Sequence, residues 1–307
     1  MIRTAAVIGL GTMGPGIGLR LARGGLRVRG HDIAPEARAR AEAMRPAIEG
    51  AMDALGIAAR EGGGFEVVDS LAAAVEGADL VIENVPERVE TKAGVYAALA
   101  PLIGEEVIVA SDTSGIPITR LQAHMAHPAR MVGMHWSNPP HIVPMIEVIL
   151  GAETAPATAE AIEALIRGIG LVPVRVARDV PGFVENRVLY ALLREVVDLV
   201  EQGVISARDI DTCVSWGIGY KLAVIGPMAL MDMAGLDIYH AVASFLNREL
   251  STRADVAPMI AAKLAEGRLG MKTGGGVYDY GPEEIARLQA GWAAKLVAIR
   301  RILEGGG

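Results

Sequence analysis

Along the first 180 residues, short runs of consecutive apolar residues alternate with stretches whose apolar positions recur every three or four residues. The runs Ala5–Ile8 (AAVI), Asp79–Val85 (DLVIENV) and the segment EEVIVA ending at Ala110 lack in-and-out alternation, as strands buried on both faces of a parallel sheet do. Between them, Ile17, Leu19, Leu21 and Ala22 continue a helix that Gly24 and Gly25 stop. Ala34 to about Arg60 predicts an alanine-rich helix closed by Gly62, Gly63 and Gly64, and Phe65–Val68 a strand. Ser70 predicts the N-cap of a short helix, and Val89–Leu102 a longer one. Strand alternating with helix is the signature of a doubly wound α/β sheet.

The rhythm changes at Arg130. MVGMHW and PMIEVIL are two strand-like runs joined by SNPPHIVP with no helix between, so a loop is expected over the C-terminal edge of the sheet. Ligands of open α/β sheets bind at that edge. Ala155 to about Ile169 predicts a helix and LVPVRVA a last strand; from Phe183 onward the pattern is helical, with Val184, Val188, Ala191, Leu192 and Val196 on one face. The chain therefore divides into a sheet domain, 1–180, and an all-α C-terminal domain, 181–307, expected to complete the substrate site and to form a homodimer through its helices. Fraying is expected for Gly305–Gly307.

A glycine pattern gives the first domain a chemistry. After the first strand, Gly9, Gly11 and Gly14 fall at GxGxxG spacing as a helix opens, and Asp32 follows eighteen residues later at the end of the second strand. The first glycine permits the turn, the second lets a pyrophosphate approach the backbone, and the third packs helix on strand. The loop Gly9, Gly11, Thr12, Met13 and Gly14 would face the phosphates with free N–H groups and the helix dipole. Asp32 would accept the ribose hydroxyls and repel a 2′-phosphate, so a Rossmann-type domain binding NAD rather than NADP is expected.

Composition narrows the partners. With 307 residues and 51% hydrophobic content the chain can build two cores. A net charge of −7 without a dense Lys/Arg run argues against nucleic acid and against an anionic membrane surface, leaving a small molecule as substrate. No apolar run reaches a membrane span, since Asp232 and Asp237 interrupt the most apolar C-terminal stretch. The single cysteine, Cys213, forms no internal disulfide and reads as a small buried hydrophobe on a helix. A start that enters a strand directly, and a chain suited to a reducing compartment, make the cytoplasm the expected location.

Among six histidines, His135 stands out because it ends a strand at the ligand edge and Glu147 lies within the next strand. If the segment between them doubles back, the carboxylate holds one imidazole nitrogen protonated and leaves the other as a base, which alcohol oxidation requires. A structural histidine beside an unrelated carboxylate is the other reading of that spacing. Ser114 ends a strand-turn at the same edge, where it either bonds a substrate oxygen or is a turn residue. Asn138 and Asn186 carry the same two readings. Glu87 and Lys92 are either a solvated ion pair or groups lining the nicotinamide side of the cleft. No metal-ligand pattern is read.

Taken with their order and spacing, VIGLGTMGPGI, ADLVIENVPERVETK, VASDTSGIP, GMHWSNPPHIVPMIEV, DVPGFVENR, GPMALMDMAGLD and MKTGGGVYDY resemble the NAD-dependent 3-hydroxyacyl-CoA dehydrogenase family across nearly the whole chain. The resemblance implies that His135 is the catalytic base with Glu147 as its partner. It implies further that Ser114 and Asn186 hold the substrate oxygen, with Asn138, Glu87, Lys92 and Lys272 on the cofactor side.

Departures from the family pattern bear on the substrate. The lysine-rich hairpin that helps hold CoA phosphates is absent: Pro35–Glu66 contains no lysine, and Arg38, Arg40, Arg45 and Arg60 are its only basic residues. Ser137 stands where the family carries an aromatic ring, and His141, Tyr220 and Lys221 add polar groups to the expected pocket. These features resemble a branch that oxidises a small, carboxylated, CoA-free aldehyde through its hydrate; a 3-hydroxyacyl-CoA is the competing substrate. A protein of another class, binding NAD without catalysis as the crystallins recruited from this family do, is the alternative function.

Overall fold

The computed structural model describes residues 2–305. Gly306 and Gly307, part of the tail expected to fray, lie outside the described residues. The chain divides into two compact units, one running to Arg187 and one beginning at Val188.

The first unit is built on one sheet of β1 (Thr4–Ile8), β2 (Arg27–His31), β3 (Gly64–Val67), β4 (Leu80–Glu83), β5 (Ile108–Ser111), β6 (Met131–Trp136), β7 (Met145–Ile149) and β8 (Val172–Val176). Their spatial order is β3-β2-β1-β4-β5-β6-β7-β8. All neighbours are parallel except β6 and β7, which run antiparallel. Strand order reverses between β1 and β4, and a crevice opens outside the strand ends at such a switch point.

Both faces of the sheet are covered, which is why its central strands are continuously apolar. The helices α1 (Gly14–Arg23), α2 (Pro35–Ala54), α3 (Leu71–Val75), α4 (Val89–Leu99), α5 (Ile118–Gln122) and α6 (Pro156–Gly168) complete this unit. On one face Val7, Leu80, Val132 and Ile146 pack with Ile17 and Leu21 of α1 and Ile162 and Ile166 of α6. On the other, Ala6, Val81 and Val109 pack with Tyr96 and Leu99 of α4 and Leu121 of α5. Burying a side chain of this size contributes roughly 1.5–3 kcal/mol, so both layers hold the strand ends in place.

Two expectations need correction. The helix after Asp32 stops at Ala54 instead of continuing to Arg60, because Gly56 turns into the left-handed region (φ +72°) and its N–H closes on Asp53. Cys213 is exposed at the end of the helix Ala207–Cys213, not buried.

The helix α7 (Glu185–Glu201) begins in the first unit and carries the chain into the second, which is helical. Within that unit Arg253 pairs with Asp198 and Glu201, and Ser206 caps the helix Ala207–Cys213 through Asp209 N–H. Among the described residues no single helix is long and apolar enough to cross a membrane.

Candidate active site

The nucleotide end of the crevice is shaped by glycine. Gly9 takes φ +99°, and a Cβ there would meet the Asn84 carbonyl at 2.6 Å. A Cβ on Gly14 would meet the Gly9 carbonyl at 2.1 Å, so α1 can start this close to β1 only without a side chain. Around Gly11 there is open space instead, the cradle that a pyrophosphate needs and a Cβ would fill. Thr12 and Met13 lead into α1, whose first N–H groups have no partner within the helix. Asp32 Oδ2 accepts Leu10 N–H at 2.8 Å and Oδ1 accepts Ala34 N–H at 2.9 Å. Each oxygen keeps a lone pair for a ribose hydroxyl. The residues present therefore fit NAD.

At the same sheet edge, antiparallel pairing sets His135 directly opposite Glu147. The side chains meet: His135 Nδ1–H donates to Glu147 Oε2 at 2.8 Å, both residues being buried. The other Glu147 oxygen, Oε1, accepts the N–H groups of Val184 and Glu185 at 3.0 and 3.1 Å, at the start of α7. Burial pushes the Glu147 pKa up, but the His135 hydrogen bond and those two backbone donors outweigh it and hold the carboxylate ionised, below its usual range. For His135, burial disfavours the cation; the Glu147 hydrogen bond and the flanking carboxylates outweigh it and raise the pKa above 6.5. Phe183 lies against the imidazole, ring centroids 5.9 Å apart, and is held at φ +49° by full burial.

Lys92 and Glu87 form a chain of contacts, not the solvated pair that their spacing allowed. Lys92 is 1% exposed, and its Nζ donates to Glu83 Oε1 and Oε2 at 2.8 and 3.0 Å and to the Val85 carbonyl. Its next neighbour is Glu87 Oε2, at 3.4 Å. Glu87 Oε1 in turn accepts from Thr113 Oγ1 and from the N–H groups of Ser114 and Gly115. The Lys92 amine thus faces Glu83 and steadies Glu87, and Glu87 fixes the turn that presents Ser114.

Asn186 Nδ2 donates to the Ser114 carbonyl at 2.7 Å, so these two residues are brought together, although through the Ser114 backbone. Asn138 is exposed on the loop after β6. Lys272 is exposed on a short 3-10 turn of the helical unit, and Lys221 belongs to that unit as well. His141 abuts α1: a Cβ on Gly16 would lie 3.2 Å from its Nδ1, which is buried without a hydrogen-bond partner. Burial lowers the His141 pKa.

Three acidic residues of the site escaped the sequence reading. Glu83 is fully buried at the end of β4; a carboxylate within the apolar run LVIE was its only signal. Asp112 accepts Trp136 N–H at 2.8 Å, and burial, partly offset by that bond and by the charges of His135 and Lys92, raises its pKa to about 8. Glu185, next to Asn186, accepts the Ser137 hydroxyl at 2.6 Å. Ligating atoms of His135, Glu147 and Glu185 all lie within 4.8 Å of one another. Such spacing suits a cation, but Nδ1 and the Glu147 oxygens are already engaged with each other and with backbone donors.

Comparison with known proteins agrees with this geometry. Residues 4–180 match the family described as 3-hydroxyacyl-CoA dehydrogenase, NAD binding domain, and residues 182–280 match its C-terminal domain. The chain is 64% identical over 307 residues to 5-formyl-3-hydroxy-2-methylpyridine 4-carboxylate 5-dehydrogenase of Mesorhizobium japonicum, covering 99% of each chain. A crystal structure of a dehydrogenase of that name, described as an NAD+ dependent dismutase, superposes with a TM-score of 0.98 at 63% identity over 100% of both chains. A probable 3-hydroxybutyryl-CoA dehydrogenase of Bacillus subtilis is 34% identical over 91% of this chain and 98% of its own.

Proposed function

Because the chain belongs to the 3-hydroxyacyl-CoA dehydrogenase family and is an NAD-dependent dehydrogenase, we propose that it oxidises a small carboxylated aldehyde as its hydrate. The compound named for its 64% identical relative, 5-formyl-3-hydroxy-2-methylpyridine 4-carboxylate, is the substrate we assign. The hydrogen bond of His135 Nδ1–H to Glu147 carries the reading, because it leaves Nε2 as the nitrogen able to accept a hydroxyl proton.

The loop Gly9, Gly11, Thr12, Met13 and Gly14 with Asp32 would hold NAD, which supplies a hydride acceptor when bound. His135 takes the proton of the reacting hydroxyl, and Glu147 stabilises the imidazolium that results. Ser114, on the turn held by Glu87, and Asn186, oriented through the Ser114 carbonyl, position the substrate oxygen. Asn138 is assigned to the cofactor side.

The arginines of 35–66 support a substrate without CoA. Arg38 donates to the Asp32 carbonyl and pairs with Asp69. Arg45 pairs with Glu42 and reaches the Phe65 carbonyl, and Arg60 donates to the Gly168 carbonyl. With these three committed and no lysine in the segment, only Arg40 is left to meet the phosphates of CoA. The purified protein is expected to form NADH with the pyridine aldehyde and not with 3-hydroxybutyryl-CoA, and CoA should not compete with the aldehyde. Tight, salt-sensitive inhibition by CoA would overturn the substrate assignment.

We also propose that the protein is a homodimer joined through the helices of the second unit. Tyr190, Trp216, Val224, Met228, Met233 and Phe245 are each more than half exposed there, large apolar side chains that a second copy would cover. Light scattering on the eluted protein should give twice the chain mass. A monomer at micromolar concentration would exclude this assembly.

A further inference from the structure

Glu185 has no part in removing a proton from a single hydroxyl, yet one of its carboxylate oxygens lies within 4.8 Å of a ring nitrogen of His135 and of an oxygen of Glu147. Its backbone N–H helps fix Glu147, while its carboxylate turns to Ser137 and accepts the hydroxyl proton at 2.6 Å. Ser137 follows His135 by two residues, just past the end of β6, and its side chain is buried. With its proton directed at Glu185, the Ser137 oxygen keeps lone pairs that can accept another hydroxyl. The Ser137–Glu185 pair thus offers a second acceptor beside the His135–Glu147 pair. A hydrated aldehyde carries two hydroxyls on one carbon, one for each.

We propose that Ser137 and Glu185 form a proton relay for the second hydroxyl of the hydrated aldehyde, which makes the site selective for hydrates over simple alcohols. The proposal rests on the hydrate reading given above. In the oxidation, the C–H bond breaks with transfer of its hydrogen and electron pair to NAD+, and His135 takes the proton of the first hydroxyl. The carbon is then at the level of a carboxylic acid. The remaining hydroxyl passes its proton to Ser137 Oγ as Ser137 gives its own to Glu185, so the product leaves as a carboxylate. Both protons, on His135 and on Glu185, afterwards return to solvent. A simple alcohol has no second hydroxyl for the relay, and reduction of the unhydrated aldehyde needs only the proton of His135. Ser137 is the residue that touches substrate here, and Glu185 acts through it. Titratable groups beside the pair include His135 and Glu147.

The test separates the two directions with the pyridine aldehyde as probe: oxidation by NAD+ and reduction by NADH, each measured in single turnover. Glu185→Gln keeps the shape and the backbone donor to Glu147, and Ser137→Ala removes the relay atom without touching α7. For both variants the oxidative rate is expected to fall roughly ten- to a hundredfold, and the reductive rate by no more than a few-fold. Equal losses in the two directions would mean that the pair only braces the dyad, and unchanged oxidation would mean that it does nothing; either overturns the relay. A wild-type protein inert toward the aldehyde defeats the substrate reading itself, and the relay with it. NAD binding by each variant, measured by fluorescence, reports whether a loss comes from misfolding, and Ser137→Ala serves if Glu185→Gln fails to fold.

Discussion

Glu147→Gln lowers turnover on the order of 10³–10⁴-fold, about as far as His135→Gln itself, although the new side chain has the same shape. The reason lies in what the two oxygens of Glu147 do. Oε1 is fixed by the N–H groups of Val184 and Glu185, so the oxygen of a glutamine stays there and its NH2 group faces His135. An NH2 group can only donate to Nδ1, which selects the tautomer with its proton on Nε2. That nitrogen then has no lone pair for the substrate hydroxyl. NAD affinity should stay within a few-fold of wild type, because the glycine loop and Asp32 are untouched. Steady-state kinetics with a separate NAD titration checks the split, and retention of a tenth or more of the wild-type rate would remove Glu147 from the mechanism.

The same pair sets the pH dependence. Oxidation requires His135 unprotonated, and its pKa is raised above 6.5, so the rate is full at alkaline pH and declines as pH falls through that raised value. The acid limb of the oxidation profile should therefore have its midpoint above 6.5. A midpoint below it would contradict the assignment of His135 as an imidazolium stabilised by carboxylates.

What the sequence disclosed, and what it hid, follows from the range of the interactions involved. The glycine loop and Asp32 were legible because a turn, a helix start and an acidic strand end impose fixed spacing within one βαβ unit. His135 and Glu147 were legible because two short strands with a loop between them pair antiparallel, and the register then puts one directly opposite the other. Asp112 and Glu185 were hidden, since what marks them is a partner on another element: Trp136 N–H for one and the Ser137 hydroxyl for the other. Lys92 was left between two readings for a related reason. Lysines are almost always solvated, and nothing local distinguishes one whose counter-charge sits nine residues earlier in a buried strand.

That buried pair carries the second large effect. Lys92→Met should destabilise the protein by about 3–5 kcal/mol, a large share of a folding free energy that is typically about 5–15 kcal/mol. Glu83 is fully buried and keeps three neutral donors in the variant: Tyr96 OH at 2.9 Å, Ser111 Oγ at 2.7 Å and Val85 N–H at 2.8 Å. Neutral donors soften an isolated charge without cancelling it, so the unpaired carboxylate stays costly to bury. The cost therefore belongs to the unpaired charge, not to the lost packing, since methionine fills nearly the volume of the lysine stem. Lys92→Met combined with Glu83→Gln should accordingly recover a substantial part of the loss, because removing both charges is far milder than removing one. Denaturant unfolding of the two variants and the wild type closes the comparison. A single variant within 1 kcal/mol of wild type, or a double variant worse than the single one, would show that the ammonium group is not what holds Glu83 in the core. Loss of Lys92 also removes the cation beside Glu87, the residue that holds the Ser114 turn, so stability and the position of that turn depend on one buried amine.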